Sequence, residues 1–218
     1  MFVKRLLLIA VLATAAINSP ATPAAAAEPC PDVEVIFARG TGGAGLGDVG
    51  QAFVDAVRSK AAGRSVDVYS VNYPASFDFS SSVPVGAADA AARVQWMTDN
   101  CPTTKLVLSG ISQGAGVIDL ITMDQRPLGD WTPTPMAPQL ANHVAAVAVF
   151  GNPAGTIPGG GSLTAMSSLY GGKTIDLCAP DDMYCAPGGN SFLAHLAYVQ
   201  NGMEIGRASC RERVSSPV

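Results

Sequence analysis

Histidine and basic charge are scarce in this chain. Its 218 residues include two histidines, His143 and His195, so any reaction that needs an imidazole base has only those two to draw on. Between Glu28 and Met203, eight Lys and Arg stand against fifteen Asp and Glu, a net charge of −7 with both histidines neutral. No basic stripe with interleaved aromatics occurs, which excludes nucleic acid as a partner. Apolar runs long enough to span a bilayer are missing from the body of the chain, and so are internal repeats.

The one apolar run of note is at the start. Lys4 and Arg5 precede an apolar stretch from Leu6 to Ile17, and small residues fill Ala24 to Ala27. That order of charge, short apolar core and Ala-x-Ala site predicts a secretory signal peptide over 1–27 and an exported protein with no stable membrane insertion. At the other end, from Glu204, the sequence reads EIGRASCRERV, which matches the translation of a sequencing-adapter oligonucleotide better than a packed helix or strand. Residues 204–218 are therefore set aside as an artefactual or disordered tail. The single domain expected over 28–203 is long enough to bury a full core.

Without Cys210 of that tail, four cysteines remain: Cys30, Cys101, Cys178 and Cys185. Export permits disulfides, and four cysteines allow three pairings. Cys178 and Cys185, seven apart in a loop-like stretch, most naturally close a small ring and leave Cys30 for Cys101. No four convergent ligands for zinc are evident, so neither a metal nor a cofactor is expected.

Strand-like runs (Val33–Ala38, Val66–Val71, Lys105–Ser109, Val144–Phe150, Thr174–Leu177) alternate with helical spacings (Val49–Ala62, Ala87–Met97, Gly114–Met123). Alternation of this kind predicts an α/β fold with a mostly parallel sheet covered on both faces, a three-layer sandwich. A Pro-rich stretch (Pro127–Pro138) and a Gly-rich one (Gly155–Gly172) read as surface loops.

Gly110-Ile111-Ser112-Gln113-Gly114 lies between a predicted strand and a predicted helix. A serine on so sharp a turn needs glycine on both sides, and the helix that follows turns its backbone N–H groups toward a developing oxyanion. Ser112 is the candidate nucleophile. Its base must follow an acid in the order Ser, Asp or Glu, His, which leaves His195; His143 precedes every plausible acid. Asp181 and Asp182, within the Cys178–Cys185 ring, are the candidate acids, and spacing does not separate them.

Cys178-Ala-Pro-Asp-Asp182-Met-Tyr-Cys185, then His195-Leu-Ala-Tyr198, together with Gly110–Gly114 and Phe37-Ala-Arg-Gly-Thr41, resembles the cutinase family, notably its exported actinobacterial members. The resemblance covers nearly all of Pro29 to Met203. It implies a lidless α/β-hydrolase fold, Asp182 as the acid, His195 as the base, Thr41 and Gln113 as the oxyanion hole, and a Cys30–Cys101 disulfide. It also implies a final amphipathic helix after the histidine, with Leu196 to Val199 as its start, which this chain cuts short at Met203. The activity implied is hydrolysis of short to medium acyl esters, lipids or polyesters such as cutin by a monomer, through an acyl-enzyme. An acetylxylan esterase, an acyltransferase, and a secreted binding protein or antigen on a hydrolase scaffold share much of the pattern.

Overall fold

In the computed structural model, residues 29–202 are described. The expected signal peptide, the tail from Glu204 with its Cys210, and Met203 lie outside them. Five strands form one sheet in the order β2-β1-β3-β4-β5, all parallel: β1 (Val33–Ala38), β2 (Val66–Ser70), β3 (Lys105–Ile111), β4 (Val144–Phe150) and β5 (Thr174–Leu177). Parallel strands need crossovers, and helices supply them. These are α1 (Gly47–Lys60), α2 (Phe79–Asn100), α3 (Gln113–Thr122) and the short α4 (Leu163–Met166); α5 (Phe192–Leu196) follows the last strand.

The residues of β1 explain the layering. Val33, Val35 and Phe37 meet Phe53, Val54 and Val57 of α1 on one face, while Ile36 and Ala38 join the core formed with α2 and α3 on the other. All six β1 residues are buried, as a strand covered on both faces requires. The three-layer expectation holds. No helix of the described residues is long and apolar enough to cross a membrane.

Three expectations change. Helix α2 begins at Phe79, well before Ala87, despite Pro84 within it. Its first turn is organised by Asp78, which takes hydrogen bonds from the Ser80 and Ser81 hydroxyls at 2.8 and 2.7 Å, so a Ser-rich, Pro-containing run that reads as loop becomes helix. The Gly-rich connection contains α4. The helix expected to start at Leu196 ends there instead: α5 carries His195 in its last turn, and residues 198–202 form turns. Within those turns Tyr198 is fully buried and joins the α1 face of the core.

Both disulfides form as expected. Cys30 joins Cys101 at the amino edge of β1 and the end of α2, with Cα atoms 5.5 Å apart. Cys178 joins Cys185 across 5.8 Å and closes the loop after β5.

Candidate active site

The carboxyl ends of parallel strands are where such sheets gather ligands, and there β3 runs through Ser112 into α3. Ser112 has φ 56° and ψ −120°, a strained conformation for a residue with a side chain. Glycine on either side makes the turn feasible. A Cβ on Gly110 would lie 2.2 Å from the Gly114 carbonyl oxygen, and one on Gly114 would lie 2.0 Å from that of Ala38. The turn is pinned where Ser112 N–H donates to the Phe150 carbonyl at 2.9 Å.

His195 and Ser112 line the same cleft. Its Nδ1 lies 2.8 Å from Asp182 Oδ2, with both side chains buried. The Asp182 carboxylate takes two further hydrogen bonds, from Tyr184 N–H to Oδ1 (2.8 Å) and from the Tyr198 hydroxyl to Oδ2 (2.7 Å). Three partners on one buried carboxylate satisfy it and hold it still. The alternative acid is elsewhere: Asp181 is exposed, sits at φ 64°, and spends Oδ1 on the Asn190 N–H at 2.9 Å. His143, at the amino end of β4, lies at the opposite edge of the sheet from Ser112.

Sequence reasoning assigned no role to two residues of this site. Tyr198 accepts a hydrogen bond from Ala179 N–H at 3.1 Å while donating to Asp182; burial raises its pKa, the carboxylate raises it further, and the hydroxyl keeps its proton. Gly151, at φ 55°, lets the imidazole approach: a Cβ there would stand 2.7 Å from His195 Cε1. The signal for Tyr198 was its place three residues after His195, since a buried tyrosine hydroxyl has to find a partner.

Thr41 and Gln113 meet where α3 begins, directly after Ser112. The Gln113 backbone N–H heads α3 and has no acceptor within the helix, and its side-chain Nε2 donates to Thr41 Oγ1 at 2.9 Å. Arg39 fixes the Thr41 loop. Its guanidinium donates to the carbonyls of Gly43 (2.7 Å), Val71 (3.4 Å), Tyr73 (2.6 Å) and Pro74 (3.2 Å). The cleft encloses about 540 Å³ and is walled by Phe77, Phe79, Trp131, Ile157, Phe192 and Leu196.

Fold and cleft together define an α/β hydrolase. The cutinase family model matches residues 29–208, and the chain belongs to that family. It is 51% identical over 195 residues to Carboxylesterase Culp1 of Mycobacterium tuberculosis, covering 87% of this chain and 84% of that protein. It is 46% identical over 182 residues to Phospholipase Culp4 of the same organism, covering 83% and 78%. Among solved structures, Trichoderma reesei cutinase in complex with a phosphonate inhibitor superposes with a TM-score of 0.65 at 29% identity, covering 86% of this chain and 78% of that one. The catalytic core of Trichoderma reesei acetyl xylan esterase gives 0.69 at 25% identity, covering 85% and 100%. The protein is a carboxylic ester hydrolase.

Proposed function

We propose that this hydrolase is secreted and cleaves neutral acyl esters through an acyl-enzyme on Ser112. His195 takes the Ser112 proton as Oγ bonds to the ester carbonyl carbon, and the carbonyl oxygen becomes an oxyanion held by the Gln113 backbone N–H and by Thr41. Collapse expels the alcohol, which leaves with the proton from His195. Water then attacks the acyl-enzyme with His195 again as base, releasing the acid and restoring Ser112. Asp182 holds the imidazole in one tautomer and stabilises the imidazolium. The observation that carries this reading is the buried Asp182–His195 hydrogen bond beside a strained Ser112 in one cleft.

The cleft also bears on the substrate. Its lining is largely apolar, and its volume suits a small acyl ester. Arg39 is the one Lys or Arg among the lining residues, and its donors are committed to four backbone carbonyls; Asp48 adds a negative charge. Among the described residues, a phosphate headgroup finds no available cation there. Uncharged carboxylic esters are therefore favoured over phospholipids, the substrate class for which the Culp4 relative is named. The two disulfides suit export.

The test is a series of p-nitrophenyl acetate, butyrate and octanoate beside dioctanoylphosphatidylcholine. Butyrate or octanoate should give the highest kcat/KM and the phospholipid the lowest. A strong preference for acetate would favour an acetyl esterase, faster release from phosphatidylcholine would overturn the neutral-ester reading, and no turnover at all would favour a binding protein.

A further inference from the structure

Gln113 is 3% exposed, and each polar atom of its side chain is hydrogen-bonded within the protein. Its oxygen Oε1 accepts from the Ser82 hydroxyl at 2.7 Å, and its Nε2 donates to the Ser76 carbonyl at 2.8 Å and to Thr41 Oγ1 at 2.9 Å. Two backbone groups that cannot reverse set these directions. The Ser76 carbonyl can only accept, so it requires the NH₂ end of the amide. The Ser76 N–H can only donate, and it donates to Ser82 Oγ at 3.2 Å, which leaves the Ser82 proton for Oε1. Turning the amide over would set its oxygen against the Ser76 carbonyl and its NH₂ against a hydroxyl whose proton already points at it. With Ser82 fully buried, no water can take up the mismatch.

A threonine hydroxyl has one proton and two lone pairs. Because Gln113 donates to Thr41 Oγ1, one lone pair is filled and the proton is left for another partner. Building on the ester-hydrolase reading above, we propose that the Gln113 side-chain amide is a positioning residue that holds the Thr41 hydroxyl as an acceptor toward the protein, so that its proton is presented to the substrate oxyanion. Gln113 thus serves the oxyanion hole twice, through its backbone N–H directly and through Thr41 at one remove. The same network ties the hole to the cleft wall. Ser76 precedes Phe77, which lines the cleft, and the Gly42 N–H donates to the Ala75 carbonyl at 2.8 Å.

The decisive experiment is a double-mutant cycle on p-nitrophenyl butyrate, with thermal melts of each variant. Gln113→Glu replaces the donor with an acceptor, so Thr41 turns its proton toward the carboxylate and away from the oxyanion. kcat should fall on the order of 10²-fold with KM little changed, as for loss of one oxyanion donor. Gln113→Met, which removes the donor without reversing it, should lose less. In a Thr41→Val background both substitutions should add little, because the group they act through is gone. Equal losses with and without the Thr41 hydroxyl, or a Gln113→Glu enzyme with unchanged kcat, would overturn the proposal. Should Gln113→Glu fail to fold, Gln113→Met and Ser82→Ala support the same cycle. A parent protein that neither cleaves ester nor reacts with a fluorophosphonate at Ser112 fails the underlying reading as well. A parent that does both while the cycle ignores Thr41 fails this proposal alone.

Discussion

The two sides of the cleft are built by different means. On the side of Ser112, the proposed nucleophile, β3, Ser112 and α3 form a continuous strand-turn-helix whose geometry is dictated by backbone contacts, with glycines where any Cβ would strike a carbonyl. On the side of the proposed acid and base, β5 gives way to a loop closed by a disulfide, and the positions of Asp182 and His195 rest on a few side chains and their hydrogen bonds. The first side is held by sterics, the second by bonds that can be removed singly. They should therefore fail in different ways.

The largest effects separate the sides most sharply. Gly114→Ala forces a Cβ to within 2.0 Å of a backbone oxygen, so activity and fold should be lost together, with a marked fall in Tm. Asp182→Asn should leave the fold in place but cut kcat on the order of 10⁴-fold, because the imidazole is no longer held in the useful tautomer. Asp181→Asn should be mild. Steady-state kinetics beside thermal melts check all three, and a worse outcome for Asp181→Asn than for Asp182→Asn would move the acid.

Next come the disulfides. By loop length alone, opening Cys30–Cys101 should cost about 4 kcal/mol of stability and opening Cys178–Cys185 about 2 to 3. Activity should rank them the other way. Replacing Cys178 and Cys185 by Ser frees the loop that carries Asp182, whereas replacing Cys30 and Cys101 acts at the far edge of the sheet and should leave the folded enzyme active at low temperature. Equal activity in the two double variants would mean that the ring does not position the acid.

A smaller effect probes one bond within the acid–base side. Tyr198→Phe removes a donor from Asp182 Oδ2 and the acceptor of the Ala179 N–H. Roughly 1 to 3 kcal/mol of stability should go with the unsatisfied N–H, and kcat should drop about tenfold, the equivalent of ~1.4 kcal/mol in the barrier, with KM unchanged. A variant with full kcat and a lowered Tm would make Tyr198 purely structural.

The smallest effect lies behind the nucleophile helix. Asp119 of α3 is fully buried, its Oδ1 accepts from Asn152 Nδ2 at 3.2 Å, and burial, reinforced by Asp176, raises its pKa well above the usual carboxylate range. A carboxyl whose pKa is raised on folding contributes stability at low pH and loses it as pH climbs through the folded value. Asp119→Asn carries no charge at any pH, so relative to the parent it should gain Tm as pH rises above the ordinary carboxylate range. A Tm difference that stays constant as pH rises would mean that Asp119 does not titrate there.

The same contrast explains what the sequence disclosed. Gly110 to Gly114 between an apolar strand and a helix is a local pattern, and its structure follows from local sterics. The sheet was equally legible, because Val33–Ala38 and Val144–Phe150 are apolar on both faces. The acid was not. Asp181 and Asp182 are adjacent and alike on spacing, and only the fold turns one inward to His195 and the other out to Asn190. Gly151 and the contacts that Gln113 makes with Thr41, Ser76 and Ser82 were invisible for the same reason, since they join residues distant in the chain, and the place of Tyr198 three residues after His195 hinted at a partner without naming Asp182. Helix α2 was shortened by its Ser and Pro residues, which are poor helix formers except where a first turn is organised as Asp78 organises this one. Helix α5 was displaced because a helix was expected after His195, while the residues before it satisfy the cap: the Ser191 hydroxyl accepts from Ala194 N–H at 3.0 Å.

The central claim is that Ser112 is the nucleophile and His195 its base. It is tested most directly by reacting the protein with a fluorophosphonate and locating the adduct by peptide mass spectrometry. One adduct is expected, on the peptide containing Ser112, with no adduct in Ser112→Ala and strongly slowed labelling in His195→Ala. Labelling at another serine, or undiminished labelling in either variant, would contradict it.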